Sequence, residues 1–145
     1  MKPGLPLEIP SDTLAWLAGV LEGEGSFMMS RNTVKNKVYF YPKISVNMSD
    51  QDIINRVSSV FNTKTYLVPK DKRGDWKQLY RAQISGARAA TLMQQLLPWM
   101  SARRASKINE ILATYGEIES TEIRRQRACQ EAYRFRTVDN LGRFV

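Results

Sequence analysis

The stretch Leu17–Gly25, with the sequence LAGVLEGEG, decides the fold of this chain. It completes an apolar pattern with helical spacing that runs through Leu14, Leu17, Ala18 and Leu21. Ser11 stands before the pattern as an N-cap candidate, and Asp12 follows where the helix dipole favours an acid. The pattern therefore predicts a helix that begins near Ser11 and ends at the glycines before Phe27.

Small residues form a second stripe on this helix, at Ala15, Gly19 and Gly23. Glycine inside a helix costs about 1 kcal/mol relative to alanine, so two glycines at this spacing need a reason. The usual reason is the close approach of another helix. Since the chain contains no second copy of the stretch, the partner helix is expected in a second copy of the chain, which predicts a homodimer.

Two acids, Glu22 and Glu24, stand at the end of the predicted helix, where the helix dipole opposes negative charge. An acid close to a twofold axis would also face its symmetry mate. A divalent cation would relieve both problems. From the residues alone, a helix that ends at Gly25 with two solvated glutamates is the simpler interpretation.

Composition narrows the chemistry that the chain can perform. The chain has 145 residues, 43% of them apolar, which suits one globular domain. It contains no histidine and one cysteine, Cys129, which excludes histidine bases, Ser-His-Asp and Cys-His nucleophiles, zinc sites and an internal disulfide. A metal would therefore be a hard ion held by oxygen atoms, which means magnesium, calcium or manganese.

The charge of the chain favours a polyanionic partner, because the formal net charge is +8. Taken alone, this excess is weak evidence for nucleic acid. No apolar run is long enough to span a bilayer, and residues 1–10 have no apolar segment typical of a signal peptide. A single cysteine suits either a reducing compartment or a protein that is indifferent to redox conditions.

The remaining elements are predicted from periodicity. Strict alternation over residues 37–48 places Val38, Phe40, Ile44, Val46 and Met48 on one face of a half-buried strand. Before this strand, a strand is predicted at 27–31 and a turn at 32–36, and after it a helix at 50–61 capped by Ser49. Strands at 63–69 and 76–85, joined by a turn at 71–75, are followed by a helix up to Pro98. The last third is predicted to be helical and basic, with a break at Gly116 and a restart at Ser120.

This order predicts an α+β fold, in which helices pack on one face of an antiparallel four-stranded sheet in the order αββαββα. The other sheet face is polar, basic and aromatic, although ordinary solvated sheets are also polar. We expect a single domain over 1–145, with a core at about 11–116 and a basic helical extension at about 117–145.

The stretch Leu17–Gly25 resembles the LAGLIDADG signature of homing endonucleases. Leu17, Ala18, Gly19 and Gly25 are identical, Val20 and Leu21 keep apolar character, and acids stand at both acidic positions. The resemblance extends to residues 42–48, 50–61 and 80–85, and to Leu97-Pro98-Trp99-Met100 with the basic residues Arg103, Arg104 and Lys107. It covers residues 14–115.

The resemblance implies a site-specific homing endonuclease active in intron homing. Such an enzyme is a homodimer that hydrolyses both strands of a long, near-palindromic duplex DNA site and leaves 3′ overhangs. The expected cofactor is Mg²⁺, with Mn²⁺ able to substitute and Ca²⁺ binding without supporting cleavage. The resemblance assigns metal binding to Glu24 and the backbone oxygen of Gly23, a water-positioning role to Asn47, and phosphate stabilisation to Arg103 and Lys107. Family members often have glutamine where this chain has Asn47.

The resemblance also implies two surfaces. The dimer interface is expected at Ala15, Leu17, Ala18, Gly19, Glu22 and Gly23. The polar sheet face is expected to follow the DNA major groove, with candidates Arg31, Lys37, Tyr39, Tyr41, Lys43, Ser45, Lys64, Tyr66, Lys70, Lys72, Arg73, Lys77, Arg81 and Gln83.

Three other functions stay open at this point. A non-cleaving DNA-binding regulator of the same fold would commonly lack the metal-binding acid, whereas Glu24 is present. An RNA maturase that assists intron splicing can share the fold. A basic structural domain with a chance match is the third. The basic groups at Arg124–Arg127 and Arg134–Arg136 would either add phosphate contacts or form a solvated helix face.

Overall fold

The computed structural model describes residues 7–70, 74 and 76–134. In chain order the elements are α1 (Ser11–Glu24), β1 (Gly25–Val34), β2 (Lys37–Met48), α2 (Gln51–Phe61), β3 (Tyr66–Leu67), β4 (Tyr80–Ser85), α3 (Ala87–Leu96), a 3₁₀ turn (Leu97–Trp99) and α4 (Ala102–Arg134). The strands form one antiparallel sheet in the order β1-β2-β4-β3. The α+β prediction and the order αββαββα are confirmed.

The core lies between the helices and one face of this sheet. Ile44 of β2 pairs with Ile84 of β4, and both are buried beneath apolar side chains of all four helices. Leu17 and Leu21 of α1 are fully buried in the same cluster. Burial of side chains of this size contributes roughly 1.5–3 kcal/mol each, so the apolar stripe of α1 fixes that helix against the sheet.

The β1–β2 hairpin is longer than the sequence predicts. β1 runs from Gly25 to Val34, and only Lys35 and Asn36 form the turn, both with positive φ of 50° and 64°. Two left-handed residues match the twist of a tight hairpin, so pairing continues up to Val34–Lys37. The hairpin extends beyond the helices, and the prediction that Val38 and Phe40 are half-buried is wrong, since they are 46% and 47% exposed.

The second pair of strands is shorter than predicted. β3 has two residues and β4 begins at Tyr80. The side-chain amide of Gln78 donates to the carbonyl oxygen of Val68 at 2.9 Å, where a ladder partner would otherwise bind. Pro69 follows and has no N–H to donate. Pairing beyond Val68 is therefore lost.

Helix ends differ from prediction by small shifts, with one exception. α1 begins at Ser11 with Pro10 as its N-cap, and α2 begins at Gln51 with Asp50 as its N-cap. The predicted break at Gly116 is wrong, because α4 is continuous from Ala102 to Arg134. One exposed helical glycine costs only about 1 kcal/mol, which does not interrupt a long helix.

From Gly116 onward, the described side chains of α4 are exposed apart from that of Glu119, which is half-buried. In the described part of the chain, no helix combines the length and apolarity that a bilayer-spanning segment needs.

Candidate functional site

The end of α1 presents two acids with different surroundings. The carboxylate of Glu22 accepts a hydrogen bond from the Ser101 backbone N–H at 3.4 Å, and it lies 4.0 Å from Nε of Arg104. Hydrogen bonding by Ser101 lowers the pKa of Glu22 below its ordinary value, and the charges of Arg104 and Arg103 act in the same direction. Glu22 is therefore held ionised at the N-terminus of α4, where the helix dipole favours an anion.

Glu24, two residues later, is exposed at the last position of α1. Within the described residues it makes no hydrogen bond and no ion pair. A carboxylate that no described group of its own chain neutralises, at the unfavourable end of a helix dipole, remains available for an external cation. The two glutamates therefore differ, because Glu22 is bound to α4 and Glu24 has no partner among the described residues.

Arg104 connects α4 to the junction of α1 and β1. Its Nη1 donates to the carbonyl oxygen of Gly25, and its guanidinium lies 5.9 Å from the centre of the Phe27 ring. Its side chain is only 16% exposed. Gly25 has little space for a side chain, since a Cβ there would lie 2.7 Å from the carbonyl oxygen of Leu21 unless the backbone shifted.

A cleft of about 490 Å³ lies beside this junction, between the start of β1 and the first turns of α4. Arg103 and Lys107, both exposed and one helical turn apart, line it together with Ser26. The structure thus brings Arg103 and Lys107 to the residues that directly follow Glu24. Cationic side chains in an open cleft suit an anionic group such as a phosphate.

Asn47 lies at the end of β2, one residue after Val46, which pairs with Gly25. It is exposed on the polar sheet face, and its Oδ1 accepts a hydrogen bond of 2.9 Å from Nε of Arg81 on β4. The register therefore brings Asn47 to the end of the sheet at which α1 passes into β1, although Asn47 faces away from the helices.

The strand register assigns most predicted DNA-binding residues to one face. Lys43 pairs with Ser85 and Ser45 with Gln83, opposite to the buried Ile44–Ile84 pair. The same registers place five further predicted residues on this face: Lys37, Tyr39, Tyr41, Tyr66 and Arg81. These residues form a continuous polar surface, here called the polar sheet face.

Other predicted DNA-binding residues lie elsewhere. Arg31 pairs with Phe40 and has the parity of Phe27, so its expected position on the polar sheet face is wrong. The prediction failed because the apolar alternation of Phe27 and Met29 gives way to a charged residue at Arg31, on the same face of β1. Lys64, Lys70 and Lys77 are exposed around β3, and Lys72 and Arg73 lie outside the described residues.

The predicted dimer interface separates into two groups. Gly19 and Gly23 are exposed, and a Cβ at either would meet no described atom within 4 Å beyond the adjoining residues and backbone of its own helix. Leu17 and Ala18, in contrast, are 0% and 3% exposed inside the core, so their assignment to the interface is wrong. They belong to the stripe that faces the sheet. Ala15 and Glu22 are half-buried and remain accessible.

Arg104 and Ser101 are the site residues that the sequence prediction missed. Arg104 precedes Ile108, Ile111 and Tyr115 by four, seven and eleven residues, which places it on the buried stripe of α4. Arg103 and Lys107 are out of phase with that stripe. This difference in phase is a signal in the sequence that distinguishes the inward arginine from its exposed neighbours.

The donors around Glu24 suit a hard cation. No group of three or more His, Cys, Asp or Glu side chains converges anywhere in residues 7–70, 74 and 76–134. The available donors are the Glu24 carboxylate and the backbone carbonyl oxygens at the end of α1, which lack helical N–H partners. All of these are oxygen atoms, which magnesium, manganese and calcium accept.

Comparison of this fold with solved structures identifies it. The homing endonuclease I-CvuI, in complex with its target in the presence of calcium, matches at a TM-score of 0.57 and 16% identity, over 75% of this chain and 69% of that one. The chain has the fold of the LAGLIDADG homing endonucleases. Neither a sequence model of a protein family nor a curated protein matches it.

Two further structures share the LAGLIDADG fold. The LAGLIDADG homing endonuclease I-GzeII, in complex with a DNA target, matches at a TM-score of 0.55 and 12% identity, over 75% of this chain. The group I intron-encoded homing endonuclease I-CeuI, complexed with DNA, matches at a TM-score of 0.55 and 16% identity, over 78% of this chain. The chain spans 37% of the length of I-GzeII and 58% of that of I-CeuI.

Proposed function

We propose that the chain is a site-specific DNA endonuclease of the LAGLIDADG type. The observation that carries this proposal is the carboxylate of Glu24, which has no partner among the described residues and stands one residue before Gly25, where the cleft lined by Arg103 and Lys107 begins. An acid without a described partner at the start of a cleft with open cationic side chains provides the two elements needed to hold a metal ion and a phosphate together. The signature in the sequence and the fold of the DNA-bound neighbours support the same function.

Glu24 and the backbone oxygen of Gly23 would hold the divalent cation, expected to be Mg²⁺. When bound, this ion supplies the Lewis acidity that activates water and neutralises charge on the leaving 3′ oxygen. Arg103 and Lys107 would stabilise the negative charge of the scissile phosphate. Asn47 would orient the attacking water from the end of β2. Glu22 has a different role, because it is bound to Ser101 and holds the end of α1.

Cleavage of both strands needs two copies of this site. We infer a homodimer in which the α1 helices of two chains meet along Gly19 and Gly23, where the chain leaves open space. A twofold pair recognises a near-palindromic duplex, and each copy would cut one strand, which leaves 3′ overhangs. The small residues would let the two helix backbones approach closely and bring one Glu24 from each chain towards the axis.

The polar sheet face would bind the DNA major groove. Arginine and lysine bind guanine edges or phosphates, and glutamine can pair with adenine. On this face Gln83 pairs with Ser45 in the sheet. The net charge of +8 supports phosphate binding along the same surface.

The test is cleavage of a randomised duplex-DNA library with Mg²⁺ by the wild type, Glu24→Gln and the control Glu8→Gln. Glu8 is an exposed acid that precedes α1. We expect the wild type and the control to cut one near-palindromic site, and Glu24→Gln to bind that site without cutting it. Mn²⁺ should replace Mg²⁺, whereas Ca²⁺ should support binding only.

Other outcomes identify other functions. If all three proteins bind duplex DNA and none cuts it, the endonuclease proposal is wrong and a non-cleaving regulator is indicated. If the wild type prefers structured intron RNA to duplex DNA at matched salt concentration, an RNA maturase is indicated.

A further inference from the structure

Glu24 lies between two points at which α1 is attached to α4. Before it, the carboxylate of Glu22 is bound at Ser101. After it, the carbonyl oxygen of Gly25 is bound by Arg104. Glu24 itself has no partner among the described residues, so these two attachments are the polar contacts that restrain its position from α4.

Arg104 takes part in both attachments. Nη1 binds the Gly25 carbonyl, while Nε is buried without a hydrogen-bond partner and has Glu22 as its ion-pair partner at 4.0 Å. The planar fork of an arginine can serve two acceptors at once, whereas a lysine ammonium is a single point charge. The ring of Phe27 lies beside the guanidinium.

The hydrogen bond from Arg104 to the Gly25 carbonyl lies where it can restrain the backbone next to Glu24. Gly25 ends α1 and begins β1, and its N–H is bonded to Leu21 within the helix. Because a Cβ at Gly25 would collide with the backbone of Leu21, the chain passes very close to the helix here. A bond to the carbonyl of Gly25 therefore holds the Gly25–Ser26 peptide unit, one unit beyond the peptide that joins Glu24 to Gly25.

We propose that Arg104 is a positioning residue of the nuclease site, which orders the Glu22–Gly25 segment and thereby sets the position of the Glu24 carboxylate. This inference rests on the proposed function. Arg104 acts through Glu24, and its side chain is turned towards the core, in phase with Ile108. Arg104 also lines the cleft, but its side chain is only 16% exposed and its Nη1 is bound to the Gly25 carbonyl, so its loss should affect cleavage rather than DNA affinity.

The test compares Arg104→Met, Arg104→Lys and the control Arg88→Met with the wild type. Arg88 makes an equivalent contact elsewhere, because it donates to the carbonyl oxygen of Phe61, the last residue of α2. The measurements are the single-turnover cleavage rate at saturating Mg²⁺, the Kd for the uncut site in Ca²⁺, and amide hydrogen exchange at residues 24–26 in the free protein.

We expect Arg104→Met to cleave about 10- to 100-fold more slowly, the usual effect of removing a residue that orients a metal ligand, with an unchanged Kd. Exchange at residues 24–26 should become faster. Arg104→Lys should recover part of the rate, since it retains one donor for the Gly25 carbonyl. Arg88→Met should cleave at the wild-type rate, with faster exchange only at residues 61–63.

Two results would overturn the inference. One is wild-type cleavage by Arg104→Met, and the other is unchanged exchange at residues 24–26 in that variant. If Arg104→Met fails to fold, Arg104→Lys decides the question by the same two measurements. If the wild type cuts no site, the proposed function fails instead, and the exchange measurement still decides whether Arg104 orders the segment.

Discussion

Nε of Arg81 donates a hydrogen bond of 2.9 Å to Oδ1 of Asn47, and this bond joins β4 to the end of β2 on the polar sheet face. Arginine is only a donor, so the bond fixes which end of the Asn47 amide faces Arg81. Nδ2 of Asn47 is left free to point away from Arg81. A residue proposed to orient water is thus itself oriented by a residue proposed to bind DNA.

The Asn47–Arg81 bond predicts energetic coupling between the two residues. In a double-mutant cycle on DNA affinity, we expect Asn47→Ala and Arg81→Ala to be non-additive by about 0.5–3 kcal/mol, as for residues in one hydrogen-bond network. Fluorescence anisotropy at one fixed salt concentration measures the four Kd values. The control cycle combines Arg81→Ala with Lys37→Ala, at the far end of β2, and should be additive. Additivity in both cycles would mean that Asn47 and Arg81 act separately.

The Ser101–Glu22 contact predicts a pH dependence of stability. The pKa of Glu22 is lowered in the folded chain from its ordinary value of 4.5, so the contact stabilises the fold above that value and is lost as the pH falls through the lower, folded pKa. Thermal unfolding between about pH 6 and pH 3 should therefore show a smaller loss of Tm on acidification for Glu22→Gln than for the wild type. The exposed Glu117 provides the control Glu117→Gln, which should behave as the wild type does. Identical slopes for Glu22→Gln and the wild type would contradict the assignment.

Gly19 and Gly116 form a matched pair, because both are exposed helical glycines with open space where a Cβ would be. Under the proposed dimer, only Gly19 faces another chain. Gly19→Leu should therefore shift the protein to monomers in sedimentation equilibrium, whereas Gly116→Leu should leave the oligomeric state unchanged. Dimers of equal affinity for both variants would show that α1 does not form the interface through Gly19.

A side chain added at Gly25 is expected to destabilise the protein by a steric clash rather than by backbone strain. Its φ of −78° and ψ of 155° are ordinary for any residue, yet an added Cβ would lie 2.7 Å from the carbonyl oxygen of Leu21. Gly25→Ala should lower the free energy of unfolding by about 1–3 kcal/mol, as overpacking does. Urea denaturation measures this value. Gly116→Ala, where space is open, should instead raise stability by about 1 kcal/mol. Equal stability of Gly25→Ala and the wild type would show that the backbone relaxes at no cost.

Much of the fold could be predicted from local patterns. The alternation that predicts β2 is confirmed to the residue at both ends, from Lys37 to Met48. The predictions failed where a distant or side-chain contact decides the outcome. Gln78 shortens the second pair of strands by occupying the carbonyl of Val68, and nothing in the periodicity of that segment indicates this bond.

The candidate site could be predicted only in part. The sequence placed Glu24, Arg103 and Lys107 on the expected elements, and the structure brings the two basic residues to the cleft beside Gly25. For Leu17 and Ala18, the signature indicated the interface while their helical phase indicated the core, and the core position is the one observed. Arg31 failed for a related reason, because its charge indicated the polar sheet face while its parity with Phe27 indicated the other face, and the register follows the parity.

The sequence by itself determined the apolar stripe of α1, the alternation of β2 and the chemistry open to a chain with no histidine and one cysteine. These follow from the period of each element and from side-chain identity, which are local properties. Only the tertiary structure decided that Glu22 is bound to Ser101 while Glu24 has no partner among the described residues, and that Arg104 rather than Arg103 binds the Gly25 carbonyl. That distinction depends on how α4 packs against the end of α1, some 79 residues earlier in the chain.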